Sequence, residues 1–254
     1  MSSAIWTRCA GSSRLGALAA RPFRVVEAQH LVATRRLVDS AAEHAVLETL
    51  LEQGKPPLPA DPEFAGLHFL LTTSFRYPPL PHGSRFATRW ERSLWYGARE
   101  LRTAFAEAAY YRLVFLEGTR VDLGTLDVEL SAFRVAVRSS RGVDLTQPPF
   151  AEHAASLASP TRYGHSQALG AAMREAGVEA FRYRSARDPD AGAGIGLFTP
   201  RAFAAKRPET PETWMCSATK ERVEFQRKDF FDRRTLDFPR QTFLVDGRLP
   251  APAL

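Results

Sequence analysis

Cysteine is scarce in this sequence, and the signatures of several common enzyme classes are missing. The 254 residues include only two cysteines, Cys9 and Cys216, which are far apart in the sequence and form no metal-type pair. A disulfide framework is therefore not expected, which fits a reducing compartment such as the cytoplasm. The sequence contains no GxGxxG, GxxxxGK[ST], HExxH, CxxC or GxSxG pattern. The six histidines form no pair at metal-ligand spacing, so neither a metal site nor a dinucleotide-binding Rossmann domain is expected.

Lysine and long apolar runs are also scarce. Only four of the 34 basic residues are lysines, a bias that indicates GC-rich codon usage more than a selected phosphate-binding surface. The net charge is +6, but acids interleave with the arginines and no block of five like charges occurs. No apolar run approaches the roughly 20 residues that span a bilayer. We therefore expect no direct nucleic-acid binding and no membrane insertion, although an anionic small molecule or an acidic protein would use the same positive field.

The composition favours a folded core. Hydrophobic residues make up 44% of the chain, and 17 of its residues are phenylalanine. The first 24 residues are basic and free of acids, as in a transit peptide, but Trp6 and the Pro22-Phe23 pair favour a segment that packs on the domain. We expect one mixed α/β (α+β) domain with an N-terminal helical extension. The expected boundaries are 1–62 for the extension, 63–230 for the catalytic domain and 231–254 for a tail.

Hydrophobic periodicity and turn residues predict the regular elements. Helices are predicted over 35–53, 99–113, 149–158 and 165–177, and strands over 68–75, 93–98, parts of 113–139, 178–185, 194–200 and 221–227. The predicted helix 35–53 carries an apolar face that includes Leu37, Val46 and Leu50. A proline-rich loop over 76–86 is expected to present Arg76 and Arg85, because loops on a rigid scaffold often carry binding residues.

Three local strings could carry chemistry, and each also has a purely structural explanation. In FRYPPLPHGSRF, the arginine forks suit a diphosphate or a carboxylate, or they are simply solvated. In WYGARELRTAFAE, Tyr96 and Glu107 could face one cleft and suit a cationic ring attached to a sugar, although helical periodicity favours a solvent-facing acid. In YRSARDPDAGAGIGLF, turn chemistry alone explains Asp188, Pro189 and Gly192, and no base is evident beside Ser185 to activate it as a nucleophile.

Taken together and in this order, with the helix SQALGAAMREAG between the second and third, these strings resemble the RES family. The likeness covers roughly residues 23–215. It implies a compact fold similar to ADP-ribosyltransferases and diphtheria-toxin-like enzymes, and a toxin that degrades NAD by cleaving the nicotinamide–ribose bond. Known members use water or, in some cases, phosphate as acceptor and need no further cofactor. Their partner is a separate Xre-type helix-turn-helix antitoxin, and a homodimer within a cytoplasmic, bacterial toxin–antitoxin assembly is expected.

The resemblance also implies roles for individual residues. Glu107 matches the family glutamate, Tyr96 the tyrosine before it, and Ser185 the serine of the SARD-like string. The arginine is ambiguous: Arg76, followed by Tyr77, is preferred as the catalytic residue, and Arg85 is expected to be a second NAD contact. Tyr77 and Tyr96 are also expected to bind NAD. Two other functions stay open, an ADP-ribosyltransferase that modifies a macromolecule and a non-catalytic nucleotide-binding protein.

Overall fold

The computed structural model describes residues 4–28, 34 and 37–251. The helices in this part of the chain, apart from short 3-10 turns, are Ala4–Arg8 (α1), Ala41–Gln53 (α2), Phe69–Arg76 (α3), Leu101–Gly118 (α4), Ala154–Leu157 (α5) and Gly164–Glu175 (α6). The strands are Gly16–Ala20 (β1), Phe23–Glu27 (β2), Trp95–Ala98 (β3), Leu126–Arg134 (β4), Val137–Asp144 (β5), Ala180–Arg184 (β6), Ala193–Leu197 (β7), Glu212–Ala218 (β8), Arg222–Arg227 (β9) and Thr235–Pro239 (β10).

The described strands join in one ten-stranded sheet of order β1-β5-β6-β7-β3-β2-β4-β8-β9-β10. All neighbouring pairs are antiparallel except β5 and β6, which are parallel and are joined through α5 and α6. A parallel pair needs such a crossover connection, because a hairpin would make the second strand antiparallel to the first. The predicted class, a mixed α/β single domain, is confirmed.

The core has three buried clusters that follow the helices across the sheet. The first joins α1 and α6 to Phe86, Phe150 and Phe181. The second places α4 against β4, β8, β9 and β10, with Phe105 against Trp214 and Phe225. The third joins α3 to β3, β5 and β7. Helix α4 thus packs beside strands β2 and β3.

Two predicted strands are helical in the structure. Residues 68–75 were expected to form a strand because they combine threonine with bulky apolar side chains, but most of them form α3. Leu71 and Phe75 are four residues apart and both buried, which is a helical period. The hydroxyls of Thr72 and Thr73 donate to the carbonyl of Phe69, which satisfies them inside the helix.

The second error concerns residues 113–118, which continue α4 instead of forming a strand. Leu113 and Leu116 are buried against the second core cluster, and the helix ends where the Thr119 N–H donates to the Leu116 carbonyl. Tertiary packing along the full 18-residue helix outweighs the local preference of the apolar run Leu-Val-Phe-Leu for a strand.

Helix α2 confirms part of the predicted helix 35–53, but its apolar face does not pack. Residues 35 and 36 lie outside the described residues. A capping box of Ser40 and Glu43 starts the helix, with each side chain accepting a backbone N–H of the other residue. None of the described α2 residues is buried, and Val46 and Leu50 are about 60% exposed. The apolar face of α2 is therefore exposed in this chain.

The N-terminal segment contains two strands that the sequence analysis missed. Trp6 is buried beside Phe150, as predicted for a segment that packs on the domain. Strand β1 pairs with β5, and β2 lies between β3 and β4 near the middle of the sheet. Each strand has five residues, and its pairing depends on partners distant in sequence, so the local pattern is weak. The domain boundaries at 62 and 230 stay predictions.

Candidate active site

A cavity of about 420 Å³ opens where β2, β3, α4 and the loop between α3 and β3 meet. This volume is within the range of small-molecule sites. Its lining includes three arginines, three tyrosines and, among the described residues, one carboxylate: Arg24, Arg85, Arg187, Tyr96, Tyr111, Tyr163 and Glu107. The walls therefore combine a positive field and aromatic faces with a single negative group.

Glu107 lies in the second turn of α4, half-buried at the cavity wall. Its Oε1 accepts a hydrogen bond from the Ser185 hydroxyl at 2.6 Å. Two residues 78 positions apart thus meet, because α4 passes beside the turn that follows β6. A hydroxyl that donates to a carboxylate fixes the orientation of that carboxylate. The Ser185 hydroxyl is thus paired directly with the Glu107 carboxylate.

The turn after β6 holds the Ser185 hydroxyl firmly. Its Oγ accepts the backbone N–H groups of Arg187 at 3.1 Å and Asp188 at 3.2 Å. Because these two N–H groups donate to the Ser185 oxygen, its own proton is free to point to Glu107. The turn is tied to α4 a second time, since the Thr103 hydroxyl donates to Asp188 Oδ2 at 2.6 Å. Buried, satisfied networks of this kind keep a carboxylate in one position.

Tyr96 lies on β3, and its ring forms part of the cavity wall. Its hydroxyl accepts the Phe86 N–H at 3.2 Å and shares a hydrogen bond of 2.9 Å with the Ser84 hydroxyl. Burial raises the pKa of Tyr96 to about 12, so the phenol stays neutral at physiological pH. Burial and the nearby Glu107 charge also raise the pKa of Tyr183, which contacts the Tyr96 ring edge-on. The aromatic wall is therefore uncharged.

Arg85 is buried in the loop before β3, and carbonyls hold it in place. Its Nη1 donates to the carbonyl of Ser159 at 2.8 Å, and its guanidinium lies 4.8 Å from the centre of the Tyr163 ring. Arg85 donates to backbone carbonyls and pairs with no carboxylate among the described residues, so its charge is not neutralised there. An arginine fork of this kind suits a phosphate or diphosphate.

Helix α6 fixes the loop that carries Arg85. The side-chain amide of Gln167 donates to three loop carbonyls, those of His82, Ser84 and Ala87. The backbone of the loop lies directly on Gly170, where a Cβ would come within 2.0 Å of the Phe86 carbonyl oxygen. The sequence resemblance included this helix without giving it a role. In the structure it positions the loop.

Arg187 is a cavity residue to which the sequence analysis gave no role. It is buried, its Nη2 donates to the Tyr163 hydroxyl at 3.2 Å, and its guanidinium lies 3.6 Å from the centre of the Tyr110 ring. The available signal was its place in the SARD-like string, two residues after Ser185. Arg24 was missed altogether, because nothing in the local sequence of β2 links it to the other strings.

Arg76 and Tyr77 lie outside the cavity lining. Arg76 ends α3, where its Nη2 pairs with Glu52 of α2 at 3.0 Å and its Nε donates to the Pro56 carbonyl. Tyr77 is 41% exposed, and its carbonyl accepts the Ser93 hydroxyl. Of the residues predicted for the site, the structure brings together Arg85, Tyr96, Glu107 and Ser185. It places Arg76 and Tyr77 elsewhere.

The described residues contain neither a metal-ligand cluster nor a membrane-spanning helix. No group of three or more His, Cys, Asp or Glu residues is placed to hold a metal ion in the described part of the chain. No helix within these residues combines the length and the apolar character needed to cross a bilayer.

Comparison with known proteins places the chain in a family. No curated protein matches it. Among solved structures, a chain of the M. tuberculosis MbcT–MbcA toxin–antitoxin complex is similar, with 12% identity over 92% of both chains and a TM-score of 0.47. A likeness at this level does not by itself indicate a shared function. The model of the RES domain matches residues 58–219, which is more than half of the chain. The chain therefore belongs to the RES domain family, as the sequence resemblance indicated.

Proposed function

We propose that this chain is a toxin that consumes NAD by cleaving the bond between nicotinamide and ribose. The observation that carries the proposal is Glu107, the single carboxylate among the described residues that line the cavity, which is oriented by Ser185 and surrounded by arginines and tyrosines. Membership of the RES family supports the choice of NAD as substrate. The wall complements both parts of a dinucleotide, since arginine suits its diphosphate and neutral aromatic faces suit its rings.

The reaction needs electrostatic stabilisation more than a strong base. The bond between ribose C1″ and the nicotinamide nitrogen breaks, and its electron pair stays with the leaving nicotinamide, which becomes neutral. Positive charge then develops on the ribose. Glu107 stabilises that charge, and a fixed, preorganised carboxylate does so without reorganisation during the step. The Ser185 hydrogen bond supplies the fixed orientation.

The remaining cavity residues bind and orient the substrate. Arg85 and Arg187 hold the diphosphate, which transfers to Arg85 the role that the sequence analysis gave preferentially to Arg76. Tyr96 packs against the nicotinamide ring at the wall formed by β3. Orientation of this kind raises the rate by holding the reacting bond in one geometry.

The acceptor is water or inorganic phosphate. With water the products are nicotinamide, ADP-ribose and a proton, and with phosphate they are nicotinamide and ADP-ribose 1″-phosphate. A separate Xre-type helix-turn-helix antitoxin would neutralise the toxin in the cytoplasm, with the toxin as a homodimer. This part of the proposal rests on family membership alone.

The decisive experiment incubates the purified chain with NAD and follows nicotinamide release. We expect wild-type protein to release nicotinamide and Glu107→Gln to lose about 100-fold or more of the rate. The matched control is Glu117→Gln, because Glu117 lies on the same helix and pairs with Arg240 outside the cavity lining. Parallel reactions with and without phosphate identify the acceptor. Absence of nicotinamide release by folded wild-type protein, or equal rates for the two variants, would contradict the proposal.

A further inference from the structure

Two phenylalanines are exposed in the turn between β9 and β10 (residues 228–234, the hairpin tip). Phe230 is 79% and Phe231 is 94% exposed, and their rings contact each other edge-on with centroids 5.1 Å apart. Most of the 17 phenylalanines of the chain are buried. Adjacent exposed aromatic side chains are typical of protein–protein contacts, in which phenylalanine is enriched.

Polar contacts hold the backbone of the hairpin tip, without packing of the two phenylalanines against the domain. Asp229 Oδ1 accepts the N–H groups of Phe231 at 2.9 Å and of Asp232 at 3.1 Å. Asp232 also forms salt bridges with Arg227 and Arg234, which fix the base of the turn. The aromatic pair is therefore presented in one geometry, and a preorganised contact of this kind loses little conformational entropy on binding.

Helix α2 provides a second exposed apolar surface, the α2 face. Glu43, Val46 and Leu50 follow at i, i+3 and i+7 and so lie on one side of the helix. Ala42 and Thr49 lie on the same side, and their short side chains leave space for a ring beside Val46. None of these residues is buried. The α2 face is thus a shallow apolar surface with a carboxylate at its border.

The unpaired charges of these two surfaces are opposite. Arg233 of the hairpin tip is exposed and forms no hydrogen bond or salt bridge with another described residue. Glu43 of the α2 face accepts only backbone N–H groups, those of Asp39 and Ser40, so no described cation neutralises it. Opposite charges beside an apolar contact favour the correct partner and register. The hairpin tip and the α2 face therefore complement each other in polarity and in charge.

The size of the two surfaces favours a reciprocal dimer over a single contact. Aromatic side chains bury about 150–250 Å² each, so one hairpin tip covers roughly 300–500 Å². A stable interface buries about 800 Å² on each partner. One tip on one α2 face falls short of that value. Two such contacts related by a two-fold axis reach it, because each copy then contributes both a tip and a helix face.

We propose that the hairpin tip of one copy docks on the α2 face of a second copy, and that two such contacts form a two-fold symmetric dimer. The two phenylalanines cover the apolar residues of the α2 face, and Arg233 pairs with Glu43 of the partner copy. Neither surface lines the cavity, and both lie outside the RES match over 58–219. The inference therefore does not depend on NAD cleavage, and it names the surfaces that would form the expected homodimer.

An anionic membrane surface is the alternative occupant, because it attracts exposed aromatic and basic side chains. Asp229 and Asp232 flank the two phenylalanines, and anionic lipid repels their carboxylates. The hairpin tip is therefore better suited to a protein surface.

The experiment measures self-association of the full chain by sedimentation velocity at about 1–100 μM, a range suited to micromolar dissociation constants. We expect a dimer whose Kd rises about 10-fold or more in Phe230→Ser/Phe231→Ser, because the aromatic side chains at its centre are lost. Val46→Gln/Leu50→Gln should have the same effect. The control is Phe115→Gln, an exposed phenylalanine of α4 outside both surfaces, which should associate as wild type does. All of these side chains are exposed, so the variants are expected to fold, which circular dichroism checks.

A double-mutant cycle tests the charge pair. Arg233→Gln and Glu43→Gln each remove one charge, and glutamine at position 43 retains the capping box that starts α2. We expect each variant to raise the Kd by about 2- to 5-fold. The double variant should be no weaker than the single variants, because the pair is already broken in each of them. Multiplicative effects would overturn the proposed contact.

Disulfide trapping identifies which surfaces meet. A copy with Phe231→Cys should crosslink to a tagged copy with Val46→Cys on mixing and mild oxidation, and two copies with the same substitution should not crosslink. The native Cys9 and Cys216 are buried, so they do not compete. A copy with Phe115→Cys is the matched control and should not crosslink to Val46→Cys.

The remaining outcomes overturn the inference in different ways. A monomeric wild type, or a dimer that keeps its Kd in either double variant, excludes the proposed contact. Crosslinks between two Val46→Cys copies assign the dimer to pairing of two α2 helices instead. Phenylalanine-dependent binding to vesicles of phosphatidylcholine and phosphatidylserine, without self-association, assigns the hairpin tip to a membrane. Nicotinamide release is measured in parallel: a dimer without release overturns the proposed function alone, and release by a monomer overturns this inference alone.

Discussion

The hydrogen bond between Ser185 and Glu107 predicts that the two residues act as one unit. Ser185 has a 2.6 Å contact with the Glu107 carboxylate and does not itself line the cavity. A hydrogen bond to a charged group contributes about 1.5–3 kcal/mol, which corresponds to roughly 10- to 100-fold in rate. We therefore expect Ser185→Ala to lower kcat by about 10- to 100-fold, and Glu107→Ala to lower it by about 100-fold or more.

The double variant decides whether Ser185 works through Glu107. If it does, Ser185→Ala has nothing further to remove once the carboxylate is gone, and the double variant is no slower than Glu107→Ala. The interaction energy of the cycle then equals the whole effect of Ser185→Ala. The assay is the steady-state rate of nicotinamide release, with KM and kcat measured separately. Multiplicative losses in the double variant would refute the reasoning and would assign Ser185 its own contact with the substrate.

A second serine provides the control for stability. Ser185→Ala also removes the acceptor of two backbone N–H groups, so the variant is expected to be less stable. Ser139 has a related arrangement outside the cavity lining, with one backbone donor in place of two: its hydroxyl donates to Glu179 at 2.6 Å and accepts the Arg141 N–H at 2.9 Å. We expect Ser139→Ala to lower the unfolding temperature similarly without reducing kcat. A comparable loss of activity in this control would attribute the Ser185 effect to stability.

Three further outcomes follow from the geometry. Arg85→Met should raise the Kd for ADP by about 10- to 100-fold, whereas Arg76→Met should change it little and should loosen α2, which calorimetry and limited proteolysis would measure. Gly170→Ala should cost about 1–3 kcal/mol in denaturant unfolding because its Cβ meets the backbone of the Arg85 loop, whereas Gly164→Ala, where space is open, should cost nothing comparable. Burial raises the pKa of Tyr110 to about 12. The contribution of the neutral phenol to the free energy of unfolding is therefore complete below pH 10 and is lost as the pH rises toward 12. Tyr110→Phe should flatten that part of the stability profile in alkaline unfolding measurements.

The strings that resemble a family were the most informative part of the sequence, and local patterns were the least. The resemblance selected Tyr96, Glu107 and Ser185, which the structure brings to one cavity or into direct contact with it. Periodicity alone favoured a solvent-facing Glu107. That interpretation was wrong because the turn after β6 packs against α4. A contact between residues 78 positions apart cannot be detected from a short stretch of sequence.

The choice between the two arginines of the string FRYPPLPHGSRF could not be made from sequence. Arg76 and Arg85 are nine positions apart. Arg76 precedes the prolines of this string, and Arg85 follows them. The end of α3 directs Arg76 to Glu52, while Gln167 of α6 holds the loop in the conformation that places Arg85 at the cavity. The prediction of a strand over 68–75 hid this difference between the two arginines. The helix that ends at Arg76 directs the Arg76 side chain toward α2.

The positive and negative groups of the cavity are expected to affect different steps. The arginines affect substrate binding, and Glu107 affects bond cleavage. In the proposed reaction, Arg85 and Arg187 contribute attraction that is the same before and during bond cleavage, because the phosphates of NAD keep their charge throughout. Glu107 faces a ribose that becomes positive only as the bond breaks, so its contribution grows in the transition state. Uniform binding lowers KM, and a contribution specific to the transition state raises kcat. Loss of an arginine should therefore appear mainly in KM or Kd and loss of the carboxylate mainly in kcat, a division that an interaction protein without catalytic activity would not show.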